Sequence, residues 1–275
     1  MNKLFFKSIF VVLFCITVVS FHSCELFKID NYDQPGETLK GEIVDIATGE
    51  RVLTDQTSNG TRIRLAELSW TETEVPAYMD FLCMKEGVYQ NTKLFAGHYN
   101  VRVDGAFIPL VRLNQQGDTI ANESKYIDIK GVTTLNFQVQ PFLKLEWVGE
   151  PTVANGKITA SFRVTRAVSP AEFKAKIEPM GGWNDNFLYV NDVRLFVSQG
   201  AYVGLGDTDS RYAVSQPYSG DSFEALLGQT ITITTLGEIP AGRTVFIRAA
   251  ARITYPTEGV QRYNYNEAKR VDIPR

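Results

Sequence analysis

The chain reads as an all-β protein of two β-sandwich domains, and three features of its sequence predict this. Segments in which apolar and polar residues alternate recur from Leu39 to the end of the chain, at the period of a strand. Clusters of Gly, Pro, Asn and Asp separate them. No window of comparable length shows helical periodicity, apart from "EVPAYMDFLCM", where Pro76 is expected to begin a single turn. Apolar residues make up 44% of the sequence and aromatic residues 12%, ample for two cores.

The first segment is an address rather than a fold element. Lys3 and Lys7 form a short basic start, Ile9 to Ser20 is almost wholly apolar, and small Ser23 precedes Cys24. This is a secretory signal layout, and residues 1–23 are excluded from the fold. The apolar run is too short for a comfortable span, which needs roughly 20 apolar residues. The sequence has three cysteines. Cys15 leaves with the signal, and Cys83, between Leu82 and Met84, reads as a buried small hydrophobe. A disulfide from Cys24 to Cys83 is one reading, though it would tie a terminal segment to the middle of a domain. The other is that Cys24 becomes the first mature residue and carries lipid, so that the protein resembles a bacterial lipoprotein. Phe21 stands where that signal usually has an aliphatic residue. Acyl chains on Cys24 would hold the protein to a membrane at about 0.8 kcal/mol per buried methylene. Residues 24–37, "CELFKIDNYDQPGE", mix charge, Pro and Gly without periodicity and read as a tether.

The first sandwich is expected over residues 38–140. "LKGEIVDIATGERV" is a strand that turns at Thr48-Gly49, and "TRIRLAEL" puts Ile63 and Leu65 on one face with Arg62 and Arg64 on the other. "LFAGHYNVRVDG" repeats the pattern, with Tyr99, Val101 and Val103 opposed to His98, Asn100 and Arg102. "KYIDIKGVTTLNFQVQPF" adds extended segments around Gly131.

The order "GEIVDIATGERV" then "KEGVYQNTKLFAGHYNVRV" resembles the transthyretin-like, carboxypeptidase-regulatory type of β-sandwich, with Ile43 in place of its usual Val. More closely, "DNYDQPGETLKGEIVDIATGE", "IRLAELSW" and "YQNTKLFAGHYNV" resemble the DUF3823 family of Bacteroidetes lipoproteins. The likeness is dense over residues 31–109 and thinner after 141. It implies an outer-membrane, lipid-anchored protein working beside SusC-like and SusD-like uptake proteins.

The second sandwich is expected over residues 141–275 and begins with "LKLEWVGEPTVANGKITASFRVTRA", turning through Asn155-Gly156. "DVRLFVSQ", "QTITITTLG", "GRTVFIRAAARITYP" and "KRVDIP" follow as strands. Their spacing suggests an immunoglobulin or fibronectin type III kind of sandwich, without the cysteine pair of a true immunoglobulin domain.

Several chemistries lack their parts. Losing Lys3 and Lys7 makes the formal charge of −3 more negative by two, and scattered Lys and Arg leave no electrostatic footprint for nucleic acid. The mature chain retains only His98 of two histidines, on the polar side of a strand, so neither a Ser-His or Cys-His nucleophile nor a zinc site is assembled. No cofactor is expected. A carboxylate pair for glycoside hydrolysis is the enzyme reading that sequence alone does not remove. "GDTDSR" at 206–211 offers Asp207 and Asp209 to calcium but lacks the remaining ligands of an EF-hand loop and reads as an exposed turn. "NGT" at 59 and "NES" at 122 mark turns, and "DTI" at 118–120 matches a short O-glycosylation sequence around Thr119.

Aromatic residues in polar loops are the candidate binding residues. "PMGGWNDNFLYVND" places Trp183 among Gly, Asn and Asp, and "GAYVGLGDTDSRYAVSQPYSGDSF" adds Tyr202, Tyr212 and Tyr218. Such rings stack on the apolar faces of sugars while neighbouring polar groups take the hydroxyls. Equally, they could plug the open ends of a sandwich. Trp147, after Leu145 in a strand, is expected in the core, and Trp70 could serve either role. The sequence therefore leads to a non-catalytic surface lipoprotein that helps capture a polysaccharide or oligosaccharide, or to a docking subunit of the same uptake complex that binds no sugar itself.

Overall fold

The computed structural model describes residues 34–69 and 76–275. The signal, Cys24, most of the tether and Trp70 lie outside the described residues. From Gly36 to Arg275 the chain forms one compact unit. It is nearly all-β, in two sandwiches, each around its own core.

The first half contributes β1 (Glu37–Asp45), β2 (Arg62–Glu67), β3 (Tyr78–Leu82), β4 (Val88–Leu94), β5 (Gly97–Asp104), β6 (Val111–Leu113), β7 (Thr119–Asn122), β8 (Lys125–Ile129), β9 (Val132–Thr134) and β10 (Phe137–Val139). One sheet pairs β1 antiparallel with β4 and parallel with both β9 and β10. The other runs β3-β2-β5-β8, antiparallel throughout. The expected faces hold: Ile63, Leu65, Tyr99, Val101 and Val103 are buried against Leu39, Ile43 and Phe137, while His98 is exposed. Gly41 sits where β9 gives way to β10 along β1. A Cβ there would lie 1.8 Å from the Leu135 carbonyl oxygen, so only glycine lets that segment approach. The helical turn expected at Pro76 is absent. Tyr78–Leu82 instead pairs with β2 from Arg62 to Ala66, and cross-strand pairing overrides the local signal.

The second half contributes β11 (Leu143–Trp147), β12 (Thr152–Ala154), β13 (Lys157–Arg166), β14 (Val190–Ser198), β15 (Val214–Pro217), β16 (Thr230–Thr234), β17 (Thr244–Ile253), β18 (Asn264–Tyr265) and β19 (Lys269–Asp272). β13 carries β11, β12 and β16 in one sheet, and β14 with β17 forms the spine of the other. Asn155 and Gly156 adopt φ of 52° and 71°, the left-handed pair that a tight two-residue hairpin needs. The run around Tyr212 to Tyr218, expected as loop, contains β15, paired to β14 from Asp192 to Leu195.

One helix, α1 (Pro170–Ile177), was not expected. Ser169 caps it by accepting from the Glu172 amide at 3.2 Å, with Pro170 at its start. Phe173 and Ile177 are its buried anchors. Ala106 and Ile108, from the first half of the chain, are built into the second core.

The two halves meet on the side of β17 turned away from the second core, and both sides of this strand are buried. Arg248 stands at the centre, only 2% exposed. Its guanidinium donates to the Asn266 carbonyl at 2.7 Å, to Thr54 at 2.7 Å and to Lys85 at 3.3 Å, so carbonyls of both halves hold one cation. Its charge lies 4.5 Å from the centre of the Tyr265 ring. Tyr265 donates to Asp55 at 2.8 Å, and the same carboxylate accepts from the Leu205 amide. Arg262 adds donors to the carbonyls of Ser58 and Gly60. Burial pushes the Arg248 pKa down to about 10, and burial likewise pushes the Tyr265 hydroxyl well up.

Truncating this cation leaves buried carbonyls without a donor. Arg248→Met is expected to begin unfolding at lower urea than the wild type and to lose its single transition, while Arg51→Met, on the exposed Glu42 pair, should change stability by less than about 1 kcal/mol. Burial raises the Cys83 thiol to about 12, so a thiol reagent at pH 8 should label Cys83 only after denaturation.

Candidate functional site

A cleft of approximately 800 Å³ opens along the seam between the halves. One wall is the turn that follows β1, with Glu50, Arg51 and Leu53, together with Lys85 and Glu86 before β4. β11 and the segment from Asn264 to Ala268 form the other. β11 supplies two kinds of residue because its faces alternate. Leu143 and Leu145 anchor in the second core, and Lys144 and Glu146 stand outside it. Lys144 lies 3.2 Å from Glu146 and 3.6 Å from Glu50, which joins the walls at the surface.

Trp147 ends β11 and lines the cleft. It was expected in the core, and it packs on the second core from its margin, half-buried, with its ring edge-on to Phe162, its register partner, at 6.1 Å. Its indole N–H donates to the Glu267 carbonyl at 2.8 Å, and the Lys269 ammonium lies 5.7 Å from its ring centre. The ring is thus oriented before any ligand arrives. Asn266 adds a polar group at the cleft floor: its carbonyl oxygen accepts from the Ala249 amide, but its buried amino group has no partner. A buried donor left unpaired costs free energy, and this one is closed off beneath the cleft surface.

Five carboxylates and four cations line the cleft, so it has no strong preference for charge. A near-neutral lining with an oriented indole suits a polar, uncharged ligand that carries apolar faces.

The loop aromatics do not form a common site. Trp183 packs on the second core against Phe173 and Phe187, with Lys174 above its ring at 5.4 Å and its N–H on Asp185 at 2.8 Å. It closes the sandwich beside α1. Tyr212 is a core residue at 8% exposure. Tyr218 packs edge-on against Phe223 at 4.8 Å, and burial raises its hydroxyl pKa. Tyr202 is exposed and lies over Lys85, 5.4 Å away, beside the cleft rather than in it. No ring contact or hydrogen bond joins any two of these four. Asp207 accepts from Ser198, and Asp209 is held by Arg211, whose hydrogen bond lowers the Asp209 pKa.

The chain is 52% identical to a DUF3823 family protein from Bacteroides uniformis ATCC 8492, over 87% of this chain and all of the other, with a TM-score of 0.84. It belongs to the DUF3823 family. Two further solved structures share the fold at lower identity. A DUF3823 family protein from Parabacteroides merdae ATCC 43184 is 16% identical, with a TM-score of 0.57, over 87% of this chain and all of the other. Another, from B. uniformis ATCC 8492 and described as a "putative carbohydrate binding protein", is 19% identical over the same shares, with a TM-score of 0.62. No protein-family profile and no curated protein matches the chain.

Because Trp183 packs on the core, Trp183→Ala is expected to lower stability by about 2 kcal/mol in thermal or urea unfolding, whatever its effect on binding.

Proposed function

We propose that this DUF3823 member is a non-catalytic lipoprotein of the outer membrane that captures or positions a glycan for a SusC/SusD-type uptake system. In this reading Cys24 carries the lipid, residues 24–37 hold the folded unit off the bilayer, and domains over 38–140 and 141–275 are transthyretin-like and immunoglobulin or fibronectin III-like. The observation that carries the glycan assignment is the near-neutral cleft lined by Trp147. Sugars match such a lining, since their C–H faces stack on an indole while neighbouring polar groups take their hydroxyls. The relative described as a "putative carbohydrate binding protein" supports the same direction.

In the second reading the protein docks on a SusC-like or SusD-like partner and binds no sugar. The exposed hydrophobes on and beside β3, Tyr78, Met79, Leu82 and Met84, favour it, because an edge strand with apolar side chains is suited to pairing.

Affinity electrophoresis through gels that each contain one polysaccharide separates the two readings. Retardation in at least one gel, weakened about tenfold or more by Trp147→Ala in a variant that still folds, is the expected result. Unretarded migration in every gel, with co-purification of a membrane partner, would instead favour docking. Cys24→Ala is expected to abolish acyl labelling and move the protein from the membrane to the soluble fraction; continued membrane association would remove the anchor assignment.

A further inference from the structure

The sheet β3-β2-β5-β8 has an outer face that the cleft does not use. Register places Tyr78, Ala66, Asn100 and Tyr126 in one row across its four strands. Tyr78 and Tyr126 are 54% and 60% exposed. Three inter-strand intervals separate them, about 14 Å along the backbone row. One sugar ring cannot touch both.

Each ring is held before any ligand binds. The Arg64 guanidinium lies 4.9 Å from the Tyr78 ring centre and is itself fixed by two hydrogen bonds to Asp80. Tyr126 stacks on His98 at 6.3 Å and 23°, and His98 bonds Asp128 at 2.8 Å. Between the tyrosines, Ala66 is buried at 3% exposure, and half-buried Asn100 has its amino group tied to Ser124 at 2.7 Å. Among the described residues the Asn100 side-chain carbonyl oxygen accepts no hydrogen bond, which leaves an acceptor midway along the row. Charges on this face cancel in pairs: Arg64 with Asp80, Arg62 with Asp104, and Arg102 with Glu258.

We propose that this row is a second glycan contact, which holds an uncharged oligosaccharide chain laid across the strands, one sugar ring on Tyr78 and another on Tyr126. The proposal rests on the glycan reading of the protein and adds a site and a ligand shape to it. Two separate aromatic faces, with an acceptor between them, match a linear chain of rings and hydroxyls. A protein interface would instead call for a contiguous apolar core, which the row lacks; Met79, Leu82 and Met84, the other hydrophobes that favour docking, lie along the β3 edge and off the row. The fixed rings lose little rotamer freedom on binding, so stacking is not offset by ordering them.

The test runs the wild-type protein, Tyr78→Ala, Tyr126→Ala, Tyr78→Phe/Tyr126→Phe and Trp147→Ala through gels containing starch, xylan, galactomannan or laminarin, with thermal melts to verify folding. Each alanine change is expected to weaken retardation roughly three- to tenfold in a gel that retards the wild type, and the phenylalanine pair, which keeps both rings, to retain it. Full retardation of both alanine variants, with loss confined to Trp147→Ala, overturns this site and leaves the cleft. If the wild type is retarded in none of the gels, this site and the glycan reading fall together. Loss in the phenylalanine pair as well as the alanine variants would mean that the hydroxyls and not the stacked faces act, which also overturns the proposal as stated.

Discussion

The structure depends on one buried cation. Arg248 lies inside the seam between two sandwiches, where a charge out of water is costly unless its hydrogen bonds are met. It meets them with carbonyls of Thr54 and Lys85 from the first half and of Asn266 from the second. Neither half alone can satisfy it. Removing one half would leave the guanidinium short of acceptors, so the contact sets the position of each half against the other. Asp55 completes the arrangement through Tyr265 and the Leu205 amide, at a distance that leaves the two charges coupled without a direct ion pair.

The cleft follows from this constraint. Arg248, Tyr265 and Asn266 line it as well as close the seam, so the same residues that join the halves define its floor. A site made this way is preformed, and a ligand need not hold the halves together in order to bind. The outer face of the β3-β2-β5-β8 sheet is rigid for a different reason, because a cation or an imidazole steadies each of its tyrosines. Both surfaces are close to neutral, and each combines an oriented ring with polar groups. In the proposed function this would be one recognition chemistry presented in a concave and a flat form.

Much of the fold was legible because it is local. Alternation in "TRIRLAEL" and "GHYNVRV" marks which side is buried, and the Asn155-Gly156 pair marks its hairpin. The helix at Pro170–Ile177 was not expected: Ser169, Pro170 and Glu172 form a start signal, but two buried anchors in eight residues are too few to show helical periodicity. Pro76 misled in the opposite direction, since pairing with β2 decides that segment. The seam was not legible. Arg248 in "TVFIRAAARI" looks like the polar side of a half-exposed strand, and nothing local reveals that the carbonyls of Thr54 and Lys85 meet it from the first half. Trp147 shares the phase of Leu143 and Leu145, which explains its expected place in the core, yet it sits at the strand's end, where the core gives way to the cleft. The tyrosine row required register, because Tyr78 and Tyr126 are far apart in sequence and share a row only through two intervening strands.

Calorimetry tests most directly whether the buried guanidinium makes the two sandwiches one body. The account predicts a single transition for the protein, with calorimetric and van't Hoff enthalpies equal, and two separated transitions for Arg248→Met. Two transitions in the wild-type protein would contradict it, because the halves would then be independent and the cleft between them would not be fixed.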